Sequence, residues 1–218
     1  MVLTAVTTVI NSSDGPTSVF VAGCIGDAFC FPAILIVLIF YGIYVGKMII
    51  QKKRGIRTDQ MAQGKNGALF YTELILKIAT YGMVLAETVS IVTGSSMTGQ
   101  PVKQVGLCVA LIGDIVFGSA VCTMKDSWRA GIAKEDHTEL VTNGIYRWSR
   151  NPAFLGFDLV YIGILLMYFN PVLLVCSILA MVLFHLQILQ EERFLSDTFG
   201  REYQEYRAHT CRYFGRKK

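Results

Sequence analysis

Two short polar motifs hold the side chains of this chain best suited to chemistry. Arg150-Asn151-Pro152 offers a guanidinium and a side-chain amide, and Glu191-Glu192 offers two adjacent carboxylates. Carboxylates accept charge-assisted hydrogen bonds from hydroxyls or an ammonium, each worth about 1.5–3 kcal/mol. The guanidinium supplies the opposite sign. The set could therefore cradle a polar ligand, or close on itself as a salt bridge from Arg150 to one of the glutamates. Tyr146 and His185 are weak candidates for moving a proton, since a lone histidine in an apolar run more often makes a buried hydrogen bond. No C-x-x-C pair or histidine cluster suggests a metal.

The stretch between the motifs is what could bring them together. Residues 153–169 and 172–190 are almost continuously apolar. At about 1.5 Å per residue they make helices of roughly 26–28 Å, just long enough to cross a membrane core. Only Asn170-Pro171 stands between them. Asparagine caps helix N-termini, and proline tolerates the first helical position because its missing N–H would be unpaired there anyway. Helices so joined run antiparallel. Both polar motifs are then expected on one side, about 10 Å apart, at a membrane surface.

Composition agrees with a membrane setting. The 218 residues are 53% hydrophobic, with a mean hydropathy of +0.47, too apolar for an ordinary soluble domain. Further apolar runs at 29–50, 68–92 and 103–123 bring the expected spans to about five, all helical because lipid offers backbone groups no partners. The expectation is an all-α polytopic membrane protein forming a single membrane domain. Residues 1–28 form an outer-face segment, 29–123 three helices, and 124–218 a region with the hairpin 153–190. A C-terminal helix over 194–214 follows, with Phe194, Leu195, Phe199, Tyr203 and Tyr206 at helical intervals, lying over the site. All but Lys77 and Lys103 of the 20 Lys and Arg lie at the C-terminal end of the first, third or fifth span or follow it. The positive-inside rule then puts the N-terminus outside and the C-terminus in the cytoplasm. The net charge of +4 reflects topology and anionic headgroups. No basic stripe with interleaved aromatics points to nucleic acid.

Smaller features carry their own expectations. Gly42 and Gly46 have the small-x-x-x-small spacing that can let helices approach. The basic, glycine-containing loop 51–67 is expected to be mobile at the headgroups. Glu73 and Lys77, four residues apart, can pair on one helical face. Asp114 and Asp158 need hydrogen-bond partners from other helices, and together with Glu87, nearer the outer end of its span, could line a polar path. Cys24 and Cys30 could form an outer-face disulfide, while Cys108, Cys122, Cys176 and Cys211 read as buried or reduced thiols.

The motifs also carry a resemblance. Leu140-Val141-Thr142-Asn143-Gly144-Ile145-Tyr146, Arg150-Asn151-Pro152-Ala153-Phe154-Leu155-Gly156, Glu191-Glu192 and Phe199-Gly200-Arg201-Glu202-Tyr203-Gln204-Glu205-Tyr206 follow one another in order. This region, about a third of the chain, resembles the isoprenylcysteine carboxyl methyltransferase and phospholipid methyltransferase superfamily. The resemblance implies an integral membrane enzyme that moves a methyl group from S-adenosylmethionine to a lipophilic acceptor: a carboxylate, amine or hydroxyl. It implies cofactor contacts at Thr138, Glu139, Leu140, Val141, Tyr146, Asn151, Pro152, Ala153, Phe154 and Glu191, with Arg150 and Glu192 beside them. Gly144 and Gly156 would allow close backbone approach.

Four positions depart from the family pattern. Asn151 stands where the family has histidine, Phe154 where it has tyrosine, and His137 lies one place before the histidine that usually opens the first motif. Asn151 still donates and accepts hydrogen bonds. Gln187 replaces an arginine that meets the substrate carboxylate in the prenylcysteine enzymes. A neutral amide cannot stand in for a bidentate guanidinium, which argues against a prenylcysteine carboxylate as substrate. Methyl transfer from a sulfonium is an in-line displacement that needs no metal, so alignment and water exclusion would supply most of the catalysis. Two other readings stay open. Membrane sterol reductases share a similar C-terminal region but bind NADPH and are usually much longer. A non-catalytic transport or assembly protein would use the intramembrane Glu73, Lys77, Glu87, Asp114 and Asp158.

Overall fold

The computed structural model describes residues 27–94, 96–132 and 139–217. The expected outer-face segment lies almost wholly outside the described residues, as do Cys24, His137 and Thr138. Five helices account for most of the rest: α1 (Cys30–Lys53), α2 (Gly67–Thr93), α3 (Gln100–Met124), α4 (Pro152–Met167) and α5 (Pro171–His209). Short 3-10 turns occupy Lys125–Ser127 and Gly144–Arg147. Among the described residues there is no strand, only two isolated bridges. The all-α polytopic architecture is as expected, and the protein is an integral membrane protein.

Four helices are long and apolar enough to cross a bilayer, while α4 is shorter. Its 16 residues span about 24 Å, a turn less than a full crossing. The helix stops at Met167 because Asn170 must already cap α5, its side chain accepting from the Leu173 N–H at 2.9 Å. Pro171 then opens α5 as its first residue. With 39 residues, α5 is about 58 Å long, far more than a bilayer core. Its apolar part ends at Gln190, and residues from Glu191 onward stand outside the membrane-spanning portion. Gly200 then adopts φ 48° and ψ −118° and breaks the run, so that the final turns change direction.

Contacts at both ends confirm that the helices alternate in direction. On the face away from the site, Lys103 pairs with Asp27 at 2.6 Å. Nearby, Met97 donates to the Phe169 carbonyl, and Asn170 reaches the Ser90 hydroxyl. The other ends of the helices converge on the opposite face.

The tightest packing joins α3 to α4. A Cβ added to Gly163 would lie 2.6 Å from the Ala110 nitrogen, and one on Gly156 would lie 2.8 Å from the Phe117 nitrogen. Gly106 and Gly113 are equally crowded from the other side. Each pair is seven residues apart, two helical turns, so both backbones touch along one seam. The spacing of Gly42 and Gly46 is not used for a close approach, since nothing lies within 4 Å of a Cβ at either. Phe40, Phe117, Phe157 and Phe184 join α1, α3, α4 and α5 through ring contacts of 4.6–5.1 Å. Along α2 and α5 the contacts include Gln190 to Thr72 at 3.1 Å.

The intramembrane charges are arranged differently from the sequence expectation. Glu73 and Lys77 do not pair. Glu73 pairs with Lys65 at 2.5 Å, and Lys77 with Asp59, because the loop before α2 folds back over that helix's first turns. Asp114 finds no hydrogen-bond partner for either carboxyl oxygen among the described residues, nor does one oxygen of Asp158. Helix-to-helix bonding therefore does not explain them.

Candidate functional site

The two polar motifs meet at the mouth of the hairpin, as the connection through Asn170-Pro171 requires. Arg150, buried at the start of α4, donates from Nη2 to Glu192 Oε1 at 2.7 Å and from Nη1 to the Thr210 carbonyl at 2.7 Å. Asn151 adds its amide, with Nδ2 at 3.2 Å from Glu192 Oε1 and 3.2 Å from the Arg212 carbonyl. Arg212 closes on the other oxygen of Glu192 at 2.9 Å. Burial opposes the charge on Glu192, but the bonds from Arg212 and Arg150 outweigh it and hold the carboxyl below its ordinary range. The sequence left open whether Arg150 would take Glu191 or Glu192, and the structure assigns it to Glu192.

Glu191 faces elsewhere and lines a cavity of about 1250 Å³. It accepts from Gln187 Nε2 at 3.1 Å and has no ion-pair partner among the described residues. Burial pushes its carboxyl up to about 7, the Gln187 bond works against this, and the nearby charge of Glu73 adds to it. Gln187 divides its amide hydrogens between Glu191 and Glu73, the latter at 3.2 Å. Its carbonyl oxygen is buried with no partner among the described residues.

Most of the residues singled out in the sequence reach this cavity. Glu139, Leu140, Val141, Tyr146, Arg150, Asn151, Ala153, Phe154, Gln187 and Glu191 all line it. Pro152 instead begins α4, and Glu192 is held in the arginine frame. Tyr146 is buried, and its phenol is raised far above its usual range, first by burial and then by Tyr206 and Glu191 nearby. Its carbonyl accepts from the Tyr206 hydroxyl at 2.7 Å, which ties the first motif to the last. Gly144 has φ +57° and abuts the Thr123 side chain, a position a Cβ could occupy only with strain. His185 is turned to the Tyr213 hydroxyl at 2.5 Å, so the structure does not support it as a proton carrier for the cavity. The C-terminal turns lie over the site as expected, with Leu195, Tyr203 and Tyr206 in the cavity wall.

The sequence reading missed the strap that covers the site. Glu73, fully buried, accepts from Lys65 Nζ, from the Ala62 N–H at 2.7 Å and from the Ile132 N–H at 3.1 Å. Two loops distant in sequence are thereby fastened to one carboxylate. Residues 58–60 also bond to Ala130 through their backbones. Thr58 reaches the Gln51 side chain at 2.6 Å, which in turn donates to the Trp128 carbonyl. Loop 51–67 is therefore pinned rather than mobile. The one signal for it in the sequence is a lysine placed shortly before an acidic residue in an apolar run.

Below this polar end the cavity continues between α1 and α2, walled by Val37, Tyr41, Val45, Thr80, Tyr81 and Val84. These two helices touch only sparingly, which leaves the apolar arm open. The site thus combines an acceptor-rich polar end at the membrane surface with an apolar channel suited to a chain-like molecule.

Comparison with known proteins bears on the same region. Residues 105–197 match the model of the isoprenylcysteine carboxyl methyltransferase family. The chain is 38% identical over 108 residues, 48% of its length, to a probable protein-S-isoprenylcysteine O-methyltransferase of Oryza sativa subsp. indica, covering 56% of that protein. It is 35% identical over 108 residues, again 48% of its length, to protein-S-isoprenylcysteine O-methyltransferase A of Arabidopsis thaliana, covering 55% of it. Against the Homo sapiens protein-S-isoprenylcysteine O-methyltransferase it is 31% identical over 105 residues, 47% of the chain and 37% of that protein. The chain spans about half the length, or less, of the curated relatives it matches. The matched segment, residues 105–197, holds the glycine seam of α3 and α4, the hairpin and both glutamates, and it is this part of the chain that is similar to the isoprenylcysteine carboxyl methyltransferase family.

Proposed function

We propose that the protein transfers a methyl group from S-adenosylmethionine to a lipophilic acceptor held in the same cavity. The observation that carries this reading is one continuous cavity with a polar end at the hairpin mouth and an apolar arm between α1 and α2. Its volume of about 1250 Å³ exceeds the roughly 300–1000 Å³ usual for a single small-molecule site, which suits a cofactor beside a lipid.

The residues present fit the cofactor. Glu191 is a cavity carboxylate free to accept from an ammonium or ribose hydroxyls, with residues 139–141, Tyr146, Asn151, Ala153 and Phe154 around it. Arg150 and Glu192 act as the frame, because their polar atoms are engaged with each other, Asn151, Arg212 and backbone carbonyls. When bound, S-adenosylmethionine supplies a methyl carbon activated by the adjoining sulfonium. The chain's part is to hold the acceptor in line and keep water out, through the Glu73-fastened strap and the aromatic wall of Phe154, Tyr203 and Tyr206. Both amide hydrogens of Gln187 point at carboxylates, so this position offers a second carboxylate no donor. We therefore read the acceptor as a lipid other than a prenylcysteine.

Calorimetry on the purified protein should show binding of S-adenosylmethionine and none of NADPH. Labelled methyl should pass into a total lipid extract, while a prenylcysteine analogue is turned over poorly at saturating cofactor. Binding of NADPH instead overturns the reaction class, binding of neither points to a non-catalytic role, and rapid methylation of the analogue overturns the reading of Gln187.

A further inference from the structure

The chain beyond α5 turns back toward the membrane. Between His209 and Lys217 the backbone folds on itself, with the Lys217 N–H donating to the His209 carbonyl at 2.9 Å and the Cys211 N–H to the Gly215 carbonyl at 3.0 Å. This turn docks on the start of α4. The Gly215 N–H donates to the Trp148 carbonyl at 2.7 Å, and the Cys211 carbonyl accepts from the Arg150 N–H at 3.1 Å. Tyr213 shows how deep the turn sits, since its hydroxyl meets His185 Nδ1 at 2.5 Å and its ring stacks on the imidazole. His185 lies five residues before Gln190, so about 8 Å inside the polar end of the apolar part of α5. The turn is therefore level with the membrane interface rather than in the water above it.

Two aromatic side chains stand uncovered at this level. Phe214 is 71% exposed and Trp148 52%, and their rings stack at 6.2 Å. Apart from these two and Met97, every large apolar side chain left exposed among the described residues lies on a long membrane-spanning helix, where lipid covers it. Because α4 is a turn shorter than a full crossing, Trp148, four residues before Pro152, is drawn toward the headgroups, a level that indole rings favour. Arg147 adjoins Trp148, and Arg216 and Lys217 follow Phe214. All three are exposed and have no ion-pair partner among the described residues, Lys217 reaching only the Arg207 carbonyl at 3.4 Å. Glu192, inside the turn, is already balanced by Arg150 and Arg212.

We propose that Trp148 and Phe214 form an interfacial anchor, which lies at the boundary of headgroups and acyl chains while Arg147, Arg216 and Lys217 hold anionic lipid headgroups. The same turn gives the Thr210 carbonyl to Arg150 and the Arg212 side chain to Glu192. Anionic lipid thereby holds the turn down and the arginine frame closed. Water would cover the three cations but leave the aromatic pair bare, and acyl chains alone would do the reverse. A bilayer surface carrying negative charge satisfies both. The anchor is independent of methyl transfer and of the acceptor.

The chain has two tryptophans, and Trp128 is only 4% exposed, so quenching of emission by lipids brominated near the headgroup reports on Trp148. The full chain is placed without cofactor in phosphatidylcholine nanodiscs containing a set fraction of brominated phosphatidylcholine or brominated phosphatidylglycerol. Both should quench, and Trp148→Phe should remove the quenched signal. The glycerol lipid should reach the same quenching at about a fifth of the fraction, as one headgroup contact to a basic side chain implies. Arg147→Gln, Arg216→Gln and Lys217→Gln combined should bring the two lipids level. High salt should do the same in the wild type, which needs no variant. Anionic nanodiscs should also raise the melting temperature of the wild type but not of the combined variant. Absent quenching places the turn in water and overturns the proposal. Equal quenching by both lipids in the wild type, a preference that survives salt and the combined variant, or no rise in melting temperature with anionic lipid overturns it as well.

Discussion

Successive residues on a helix point about 100° apart, so Glu191 and Glu192 cannot share a partner. The sequence identified both as site residues but could not divide their roles, because the division depends on where Arg212 and Thr210 return to meet Arg150. Glu191→Gln keeps size and removes charge, and should weaken S-adenosylmethionine binding by about ten- to more than a hundred-fold with little change in melting temperature. Glu192→Gln should do the reverse. Breaking a buried pair costs about 3–5 kcal/mol, the lower end applying here because the Arg212 side chain is 31% exposed. Titration calorimetry and thermal melts on both variants check this, and the opposite pattern would exchange the two roles. A pH dependence follows as well. Burial holds the Glu191 carboxyl at about 7, and only its ionised form attracts an ammonium, so cofactor affinity should fall as pH drops through about 7. Glu192 is shifted the other way from 4.5. Its contribution to stability is therefore present above that value and lost only as pH falls through the lower folded value. Affinity should weaken well before the frame does, and Glu191→Gln should flatten the affinity profile near neutrality.

At the scale of helices, hydropathy and the Asn170-Pro171 connection were enough to read the spans and the meeting of the two motifs. Which faces touch was not legible. A small-residue pattern occurs at Gly42 and Gly46, which face open space, whereas the seam uses Gly106 and Gly113 against Gly156 and Gly163. Spacing within one helix says nothing about the facing helix, and only the pair of matching seven-residue intervals could have hinted at it. Gly163→Ala would force a methyl to within 2.6 Å of the Ala110 backbone. Such overpacking should cost about 1–3 kcal/mol. Gly42→Ala, in open space inside a helix, should be neutral or stabilising by about 0.5–1 kcal/mol. Melting curves of the two purified variants decide the matter, and equal effects would show that the α3–α4 seam does not set the stability of the bundle. The strap was misread for a related reason. Its glycines and charges look mobile in isolation, and only the fold reveals that Lys65, Ala62 and Ile132 converge on Glu73.

For the whole molecule, charge and packing point to one arrangement. The ends of α1, α3 and α5 and the starts of α2 and α4 gather on the face that carries the polar end of the cavity. Nearly all the basic residues lie in the polar stretches at and beyond the ends of the apolar parts of α1, α3 and α5, while Lys103, on the opposite face, is held by Asp27. Headgroup-facing lysines and arginines are retained on the cytoplasmic side during insertion, and each is attracted to an anionic leaflet by about 1 kcal/mol. The site should therefore open to the cytoplasm, where S-adenosylmethionine would reach Glu191 from water and the acceptor would enter from lipid between α1 and α2. Single cysteines placed at the N-terminus and after Lys217, in a background lacking the native ones, should report this. An impermeant maleimide applied to intact cells should label the first, and the second only after permeabilisation. Labelling of the C-terminal cysteine alone in intact cells would invert the topology and put the polar end of the cavity on the outer face, away from a cytoplasmic cofactor.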